Sequence, residues 1–203
     1  MVRRMTMRRR RAGGGRRDEI LAVAAEVLAE RGYAATRFSD VARASGVAVG
    51  TLQGYFGTRD DMLVEALRRS TDLEVAAMEQ VGAELTGPWD RLCALIARGA
   101  ATPVPVWRML MEFWAAAAHD EELREHSLRL QARYRAPFLD VLAHGMDSGA
   151  FSSRRSVDEV TDVVVAALDG LLFPAVLRHD RPDPGGFAAV LTDMLAATLE
   201  VDR

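Results

Sequence analysis

The chain has no lysine: all 26 basic residues among its 203 are arginine. That bias reads as base composition of the coding genome rather than as a mechanism. Cysteine is nearly missing as well. The single Cys93, in "RLCALIA", rules out an intramolecular disulfide and fits a reducing, cytoplasmic compartment. Its apolar neighbours point to a buried, inert thiol. No long hydrophobic run is present. The longest, "VVVAALDGLLFPAVL" from Val163 to Leu177, contains Asp169 and Pro174 and falls short of the ~20 residues a bilayer requires. No membrane span is therefore expected. The N-terminal "MVRRMTMRRRRAGGGRR" has positive charge but no apolar segment behind it, so no secretory signal is expected.

Catalytic signatures are missing too. The chain has no phosphate-cradling glycine loop after a strand, no nucleophile elbow and no paired-carboxylate pattern. "AGGGRR" precedes a helix but follows no strand, and reads as a linker. Of the four histidines, His119 and His126 share a helix face with Glu122. They lie in the polar helix start "HDEELREH", without a metal-site signature. His144 and His179 have no companions in sequence. No enzyme, cofactor or metal is expected.

What is present is helical. Hydrophobic residues make up 49% of the chain and charged residues 27%, enough for a sizeable core with a solvated surface. Net charge is −3 but unevenly spread: 11 Arg against five acids in residues 1–58 give +6, and 15 Arg against 24 acids in residues 59–203 give −9. A basic first quarter on an acidic body suits a polyanion-binding module. A basic tail on an ordinary domain gives the same totals, and residues 18–58 alone are −2 (three Arg, five acids), so charge does not decide.

Apolar residues recur at helical spacing and no period-two run of length appears. "DEILAVAAEVLAERGY" carries Ile20, Val23, Ala24, Val27 and Leu28 on one stripe and ends at Gly32. Two short helical pieces follow, "FSDVARASG" and "VGTLQGYF". Thr58 and Asp61 form a capping box opening a long helix. Pro88 marks another start, and "TPVPVWRMLMEFWAAAA" follows Pro103 and Pro105. Asp120, Glu121 and Glu122 open a helix to about Ser148. Ser156 and Glu159 cap one running through Leu177, and Asp183 with Pro184 opens the last. The expectation is an all-α fold of about nine helices. Residues 1–15 are expected to be a disordered basic arm, 16–58 a helix-turn-helix domain, and 59–203 a separate helical body.

The stretch "GVAVGTLQGYF", residues 46–56, has glycines at 46, 50 and 54 and no charge. Glycine inside a helix costs about 1 kcal/mol relative to Ala, so something must favour it. A short helix, a turn at Gly46 and a second short helix make a helix-turn-helix. Val41, Ala42, Val47 and Leu52 would face inward. Ala48, Val49, Gly50, Thr51, Gln53, Gly54 and Tyr55 would face outward, small enough for the backbone to approach DNA and polar enough to bond phosphates or base edges.

At this point "GYAATRFSDVARASGVAVGTLQGYFGTRDDML", Gly32 to Leu63, resembles the DNA-binding region of TetR/AcrR-type transcriptional regulators. The matching features are Gly32-Tyr33, Thr36, Asp40-Val41-Ala42, Gly46-Val47, Thr51-Leu52, Phe56 and the opening from Arg59 to Leu63. The resemblance covers about residues 16–65; beyond it only helix number, length and order agree. It implies contacts to a double-stranded DNA operator by Arg37, Ala48, Val49, Gly50, Thr51, Gln53, Gly54, Tyr55, Thr58 and Arg59. Departures from the family pattern are Arg37 in place of a capping Ser or Thr, which leaves Thr36 to cap, Ala48 in place of Ser, and Gln53 in place of a phosphate-binding Tyr. Arg59 replaces a Lys and keeps its charge.

The resemblance also implies that residues 59–203 are a ligand-binding and dimerisation domain with an inducer cavity. Trp107, Met111 and Trp114 share a stripe of one helix and Tyr134 and Phe138 a stripe of the next; with Phe173 they are the expected ligand-binding residues. An ordinary apolar core accounts for the same pattern. The last two helices are apolar nearly all round, enough for a core and for a second copy. By resemblance they form a homodimer interface, with Val164, Leu168, Leu171, Leu191, Met194 and Leu195. The expected function is a cytoplasmic, ligand-responsive regulator, a repressor released from a palindromic operator by a small molecule. A helical adaptor with a basic tail is the alternative.

Overall fold

A computed structural model of the chain describes residues 3–180 and 183–201; the side chains of residues 3–14 and 82–84 lie outside that description. Among the described residues there is no strand. Ten helices follow one another: α1 (Arg3–Arg31), α2 (Phe38–Ser45), α3 (Val49–Phe56), α4 (Arg59–Glu84), α5 (Pro88–Ala100), α6 (Val104–Ala117), α7 (Glu121–Asp147), α8 (Val157–Asp169), α9 (Leu172–Leu177) and α10 (Pro184–Thr198). The all-α expectation holds.

The tenth helix arises where one was expected from Ser156 to Leu177. Pro174 has no N–H to donate to the Gly170 carbonyl, and the helical run is interrupted at Gly170 and Leu171. The local start signals hold. Ser156 Oγ accepts the Glu159 N–H at 3.2 Å and Glu159 accepts the Ser156 N–H at 2.9 Å. Asp183 accepts the Gly186 N–H at 3.1 Å, with Pro184 opening α10. Asp120 accepts the Leu123 N–H at 3.0 Å and so caps α7.

The chain packs as two units. The first joins Met1–Thr71 to Met109–Ser127; the second joins Asp72–Arg108 to Leu128–Arg203. In the first unit Ile20, Leu21, Ala24, Val27 and Leu28 of α1 are buried together with Val41, Leu52, Met62, Leu63, Leu67 and Phe113. Each of these side chains apart from Ala24 contributes about 1.5–3 kcal/mol of transfer free energy. The opening half of α4 is thus core of the first unit, whereas the boundary expected from sequence lay at residues 58 and 59. In the second unit α5 packs against α8 and α10, over Leu92, Leu95, Ile96, Val164, Leu168, Leu191 and Leu195.

Two further expectations differ. Residues 1 and 2 of the expected arm lie outside the described residues, but from Arg3 the backbone is helical as part of α1. Arginine is a good helix former, and the apolar stripe beyond residue 20 supplies a nucleus from which helix propagates backwards. The stretch Val157–Leu177, 21 residues at mean hydropathy 1.9, is long and apolar enough to cross a membrane by composition, although sequence length suggested otherwise. Val160, Val164, Val165 and Leu168 are buried in the second unit, which is how a core helix passes the same test.

Candidate functional site

The hinge between α2 and α3 is set by Gly46, at φ 68 and ψ 27, the left-handed region that favours glycine. Its position is locked from α2. Asp40, buried to within 8% of full exclusion, accepts the Arg37 N–H at 3.0 Å and forms ion pairs with Arg43 at 2.7 Å and Arg31 at 3.3 Å. One carboxylate thereby ties α1, the start of α2 and its last turn. Arg37 itself occupies the N-cap position. Thr36, expected to cap, is instead buried and donates to the Gly32 carbonyl at 2.7 Å.

α3 is held from below by Leu52 and Phe56, both buried. Val47, expected to face inward, is half-buried. Its outer face carries Ala48, Val49, Gly50, Thr51, Gln53 and Gly54, all exposed, with Tyr55 half-buried. A methyl added at Gly50 or Gly54 would meet nothing within 4 Å. The glycines are therefore not needed for packing inside the chain. They leave a bare, uncharged helix face. Arg37 and Thr58 are exposed beside it.

Arg59 stands differently from the expectation. Its Nε donates to the Thr36 carbonyl at 2.7 Å, its Nη2 donates to the Tyr33 carbonyl, and its Nη1 pairs with Asp60. The guanidinium also lies 4.8 Å from the centre of the Tyr33 ring. It is a latch on the turn after α1, and an Arg so engaged has few donors left for a phosphate. Tyr33 donates to Asp60 at 3.0 Å; burial, with Asp60 beside it, pushes its phenol pKa up. Thr58 and Asp61 form the expected capping box, the Asp61 N–H donating to Thr58 Oγ at 3.1 Å. From α6, Glu112 accepts the Ala34 N–H at 3.3 Å, and Phe113 packs edge-on to Tyr33 at 5.6 Å. The Glu112 carboxylate also lies where a Gly32 side chain would stand, and the φ of 84 is in the left-handed region that favours glycine.

The expected ligand residues divide between the units. Met111 and Trp114 belong to the first, and both are half-buried. Trp107, Tyr134 and Phe138 belong to the second. Trp107 and Phe138 are buried there, and Tyr134 packs edge-on to Phe138 at 5.9 Å. Phe173 does not join them: it is 61% exposed. The Trp107 indole N–H and the Tyr134 hydroxyl are buried without a hydrogen-bond partner, and burial pushes the Tyr134 phenol pKa up.

The dimer expectation changes in its residues. Val164, Leu168, Leu171, Leu191 and Leu195 are buried in the chain's own core and offer no area to a partner; Met194 alone of the six is exposed. Because α8 and α10 are apolar all round, sequence could not tell the inner face from the outer. The outer faces carry Val163, Val190 and Met194, at 59%, 61% and 63% exposure, with Phe173 and Leu177 on α9.

Asp40, Glu112 and Asp169 were not singled out as functional from sequence. Glu112 acts through a partner distant in sequence, Ala34, whereas the partners of Asp40 lie within nine residues of it. Asp169 did carry a signal, as the one charge in the longest apolar run. Among the described residues no group of His, Cys, Asp and Glu has the arrangement to hold a metal ion.

A short helix pair hinged on a left-handed glycine, with a bare second helix, defines a helix-turn-helix protein. Residues 20–66 match the model of bacterial regulatory proteins of the tetR family, and residues 91–200 match the C-terminal region of BetI-type transcriptional repressors. The chain belongs to the TetR family of transcriptional regulators; it is a DNA-binding regulator and not an enzyme. The transcriptional regulator BetI of Brucella suis is 24% identical over 195 residues, covering 91% of this chain and 91% of that protein. A regulator from Saccharomonospora viridis, solved in complex with choline, superposes with a TM-score of 0.78 at 25% identity, covering 92% of this chain and 98% of that one. FadR of Bacillus subtilis, solved with stearoyl-CoA, shares the fold with a TM-score of 0.76 at 21% identity, covering 89% and 97%.

Proposed function

We propose that the chain acts in the cytoplasm as a homodimeric repressor, released from a palindromic operator by a small molecule. The observation that carries the DNA half is the outer face of α3. Its glycines face open space, so their helix cost of about 1 kcal/mol each has no compensation inside the chain. Close approach of the α3 backbone to a DNA groove supplies one. Ala48, Val49, Gly50 and Gly54 permit that approach, while Thr51, Gln53 and Tyr55 offer groups for phosphates and base edges. Gln53 has the amide geometry to pair with an adenine edge.

Two copies set two α3 helices in successive major grooves, and the operator's symmetry mirrors the dimer's. Val163, Val190 and Met194 form the apolar surface that a two-fold partner buries. The effector acts by differential affinity for the DNA-competent and released states, and operator DNA opposes effector binding to the same degree. Relatives solved with choline and with stearoyl-CoA support a small-molecule effector of this kind.

Gly50→Leu tests the reading. The side chain enters open space at a helical position, so melting temperature is expected to hold or rise, while affinity for the chain's own upstream DNA falls at least tenfold in a gel shift. Unchanged affinity would take α3 off the DNA. Wild-type chain that binds all duplexes alike, and only through its basic residues, would favour the helical adaptor.

A further inference from the structure

Helix α3 is divided lengthwise by its own sequence. At about 100° per residue, Gly50 and Gly54 stand opposite the buried pair Leu52 and Phe56. Val49 and Gln53, four residues apart, form a stripe on one side of this glycine ridge, and Thr51 with Tyr55 forms one on the other. Val49, Thr51 and Gln53 are exposed and Tyr55 is half-buried. Among the described residues of the first unit, Val49 is the only large apolar side chain left exposed, at 38%. Base-reading groups are few here. Arg or Lys pairs with a guanine edge, Asn or Gln with an adenine edge, and apolar groups meet the thymine methyl. α3 has neither Arg nor Lys. The chain has no Asn, and of Gln53, Gln80 and Gln131 only Gln53 belongs to the first unit. Arginines of the neighbouring helices are engaged: Arg17 with Glu65 over the Phe56 ring, Arg31 and Arg43 with Asp40, Arg59 with the Thr36 and Tyr33 carbonyls. Arg37 stands at the N-cap of α2 and not on α3.

We infer that Val49 and Gln53 form one base-reading stripe that selects A·T pairs, Val49 meeting a thymine methyl and Gln53 an adenine edge. The inference rests on the reading of α3 as the DNA-contacting helix. Four residues rise about 6 Å along the helix axis, and base pairs stack about 3.4 Å apart. The two contacts therefore fall within about two base pairs of each other. Valine is too short to reach a base from a helix held off by bulky neighbours. The bare ridge of Gly50 and Gly54, where an added Cβ meets nothing of the chain, lets the α3 backbone come close enough. The thymine methyl then covers apolar surface that the folded chain leaves in water, the ordinary gain of burying a methyl. Thr51 and Tyr55 discriminate less, because a hydroxyl donates or accepts and serves a phosphate or several base edges.

Duplexes enriched by the full-length protein from a random pool supply the probe, and base analogues then test single atoms. Each half-site is expected to hold a thymine whose replacement by uracil, which removes only the methyl, weakens binding about three- to fourfold. Val49→Ala should bind the thymine and uracil duplexes alike. An adenine within about two base pairs should lose affinity severalfold on replacement by 7-deazaadenine, and Gln53→Ala should bind both of those forms alike. Neither substitution should change the salt dependence of binding, because no phosphate contact is lost. Val49 is exposed, so Val49→Ala should melt as the wild type does; the uracil series needs no variant at all. A wild type indifferent to uracil at every thymine, or a uracil loss that persists in Val49→Ala, overturns the stripe. If Gly50→Leu abolishes binding to the same duplex while uracil changes nothing, the stripe falls and α3 stays on the DNA. Enrichment of no sequence over the pool, or full affinity in Gly50→Leu, overturns the reading of α3 itself.

Discussion

The two packing units differ in how they treat groups that dislike burial or exposure. In the first, the buried polar groups are paired: Thr36 with the Gly32 carbonyl, Asp40 with Arg31 and Arg43, Tyr33 with Asp60. In the second lie all the buried side-chain donors described as lacking a partner, on Arg91, Trp107, Tyr134 and Arg135. Exposed large apolar side chains follow the same division. Leu73, Leu128, Val163, Phe173, Leu177, Val190 and Met194 all belong to the second unit; the exception, Val49, sits on the outer face of α3. A fully satisfied network rigidifies the core around it, whereas an unpaired buried polar group is costly. The first unit is a finished reading head. The second holds the unpaired donors and all but one of the exposed large apolar side chains.

The comparison can be broken most forcefully at the surface of the second unit. Val163→Glu together with Met194→Glu places four charges across the proposed two-fold interface, each costing several kcal/mol if buried there. The dimer should dissociate, as read by sedimentation, and operator affinity should fall more than a hundredfold. The monomer should keep its helical signal because both side chains are exposed in the single chain. A wild type that sediments as a monomer at micromolar concentration would remove the interface altogether.

Next in size is Arg59→Ala in the first unit. It deprives the Thr36 and Tyr33 carbonyls of a charged donor, a loss of about 2–3 kcal/mol measured by chemical denaturation. Arg59→Lys should restore less than half, since a single ammonium cannot reach both carbonyls in a planar fork. If instead stability is unchanged and the salt dependence of DNA binding drops by one ion, Arg59 is a phosphate contact after all.

Asp169→Asn is the matching change in the second unit, and it has the opposite sign. The carboxyl ionises near 3.8 in the unfolded chain and near 6 in the folded one. Between those values the folded state holds more protons, so wild-type stability falls as pH rises through that window and then levels. The variant should lack that fall and, with the group partly exposed, gain about 1–2 kcal/mol at neutral pH. Thermal melts from pH 4 to 7 decide it. Smallest is Glu112→Gln, which weakens one long hydrogen bond to the Ala34 N–H and should cost about 0.5–1 kcal/mol. Hydrogen exchange at Ala34 would report it before global stability does.

Local chemistry was legible without coordinates. The capping boxes at Thr58 and Ser156 and the Asp183-Pro184 start depend on residues three apart or adjacent, and each formed where the spacing placed it. The helix-turn-helix was legible for the same reason: Gly46, Leu52 and Phe56 act within one short stretch. The partners of Arg59 lie 23 and 26 residues away, and no local pattern announces them. An exposed cation beside a DNA-reading helix looks like a phosphate contact until its donors are seen to be engaged.

By itself, then, the sequence determined that the chain is helical, where most helices begin, and that the glycine-rich stretch is the second helix of a DNA-reading pair. All of these follow from interactions within a few residues. Only the tertiary structure decided which face of α8 and α10 is core, that Arg59 latches a turn, and that the Trp107 indole N–H and the Tyr134 hydroxyl are buried without a hydrogen-bond partner. An apolar helix is symmetric in composition, so its inner face is chosen by what packs against it. A buried donor is left unpaired only by the side chains that tertiary packing sets around it.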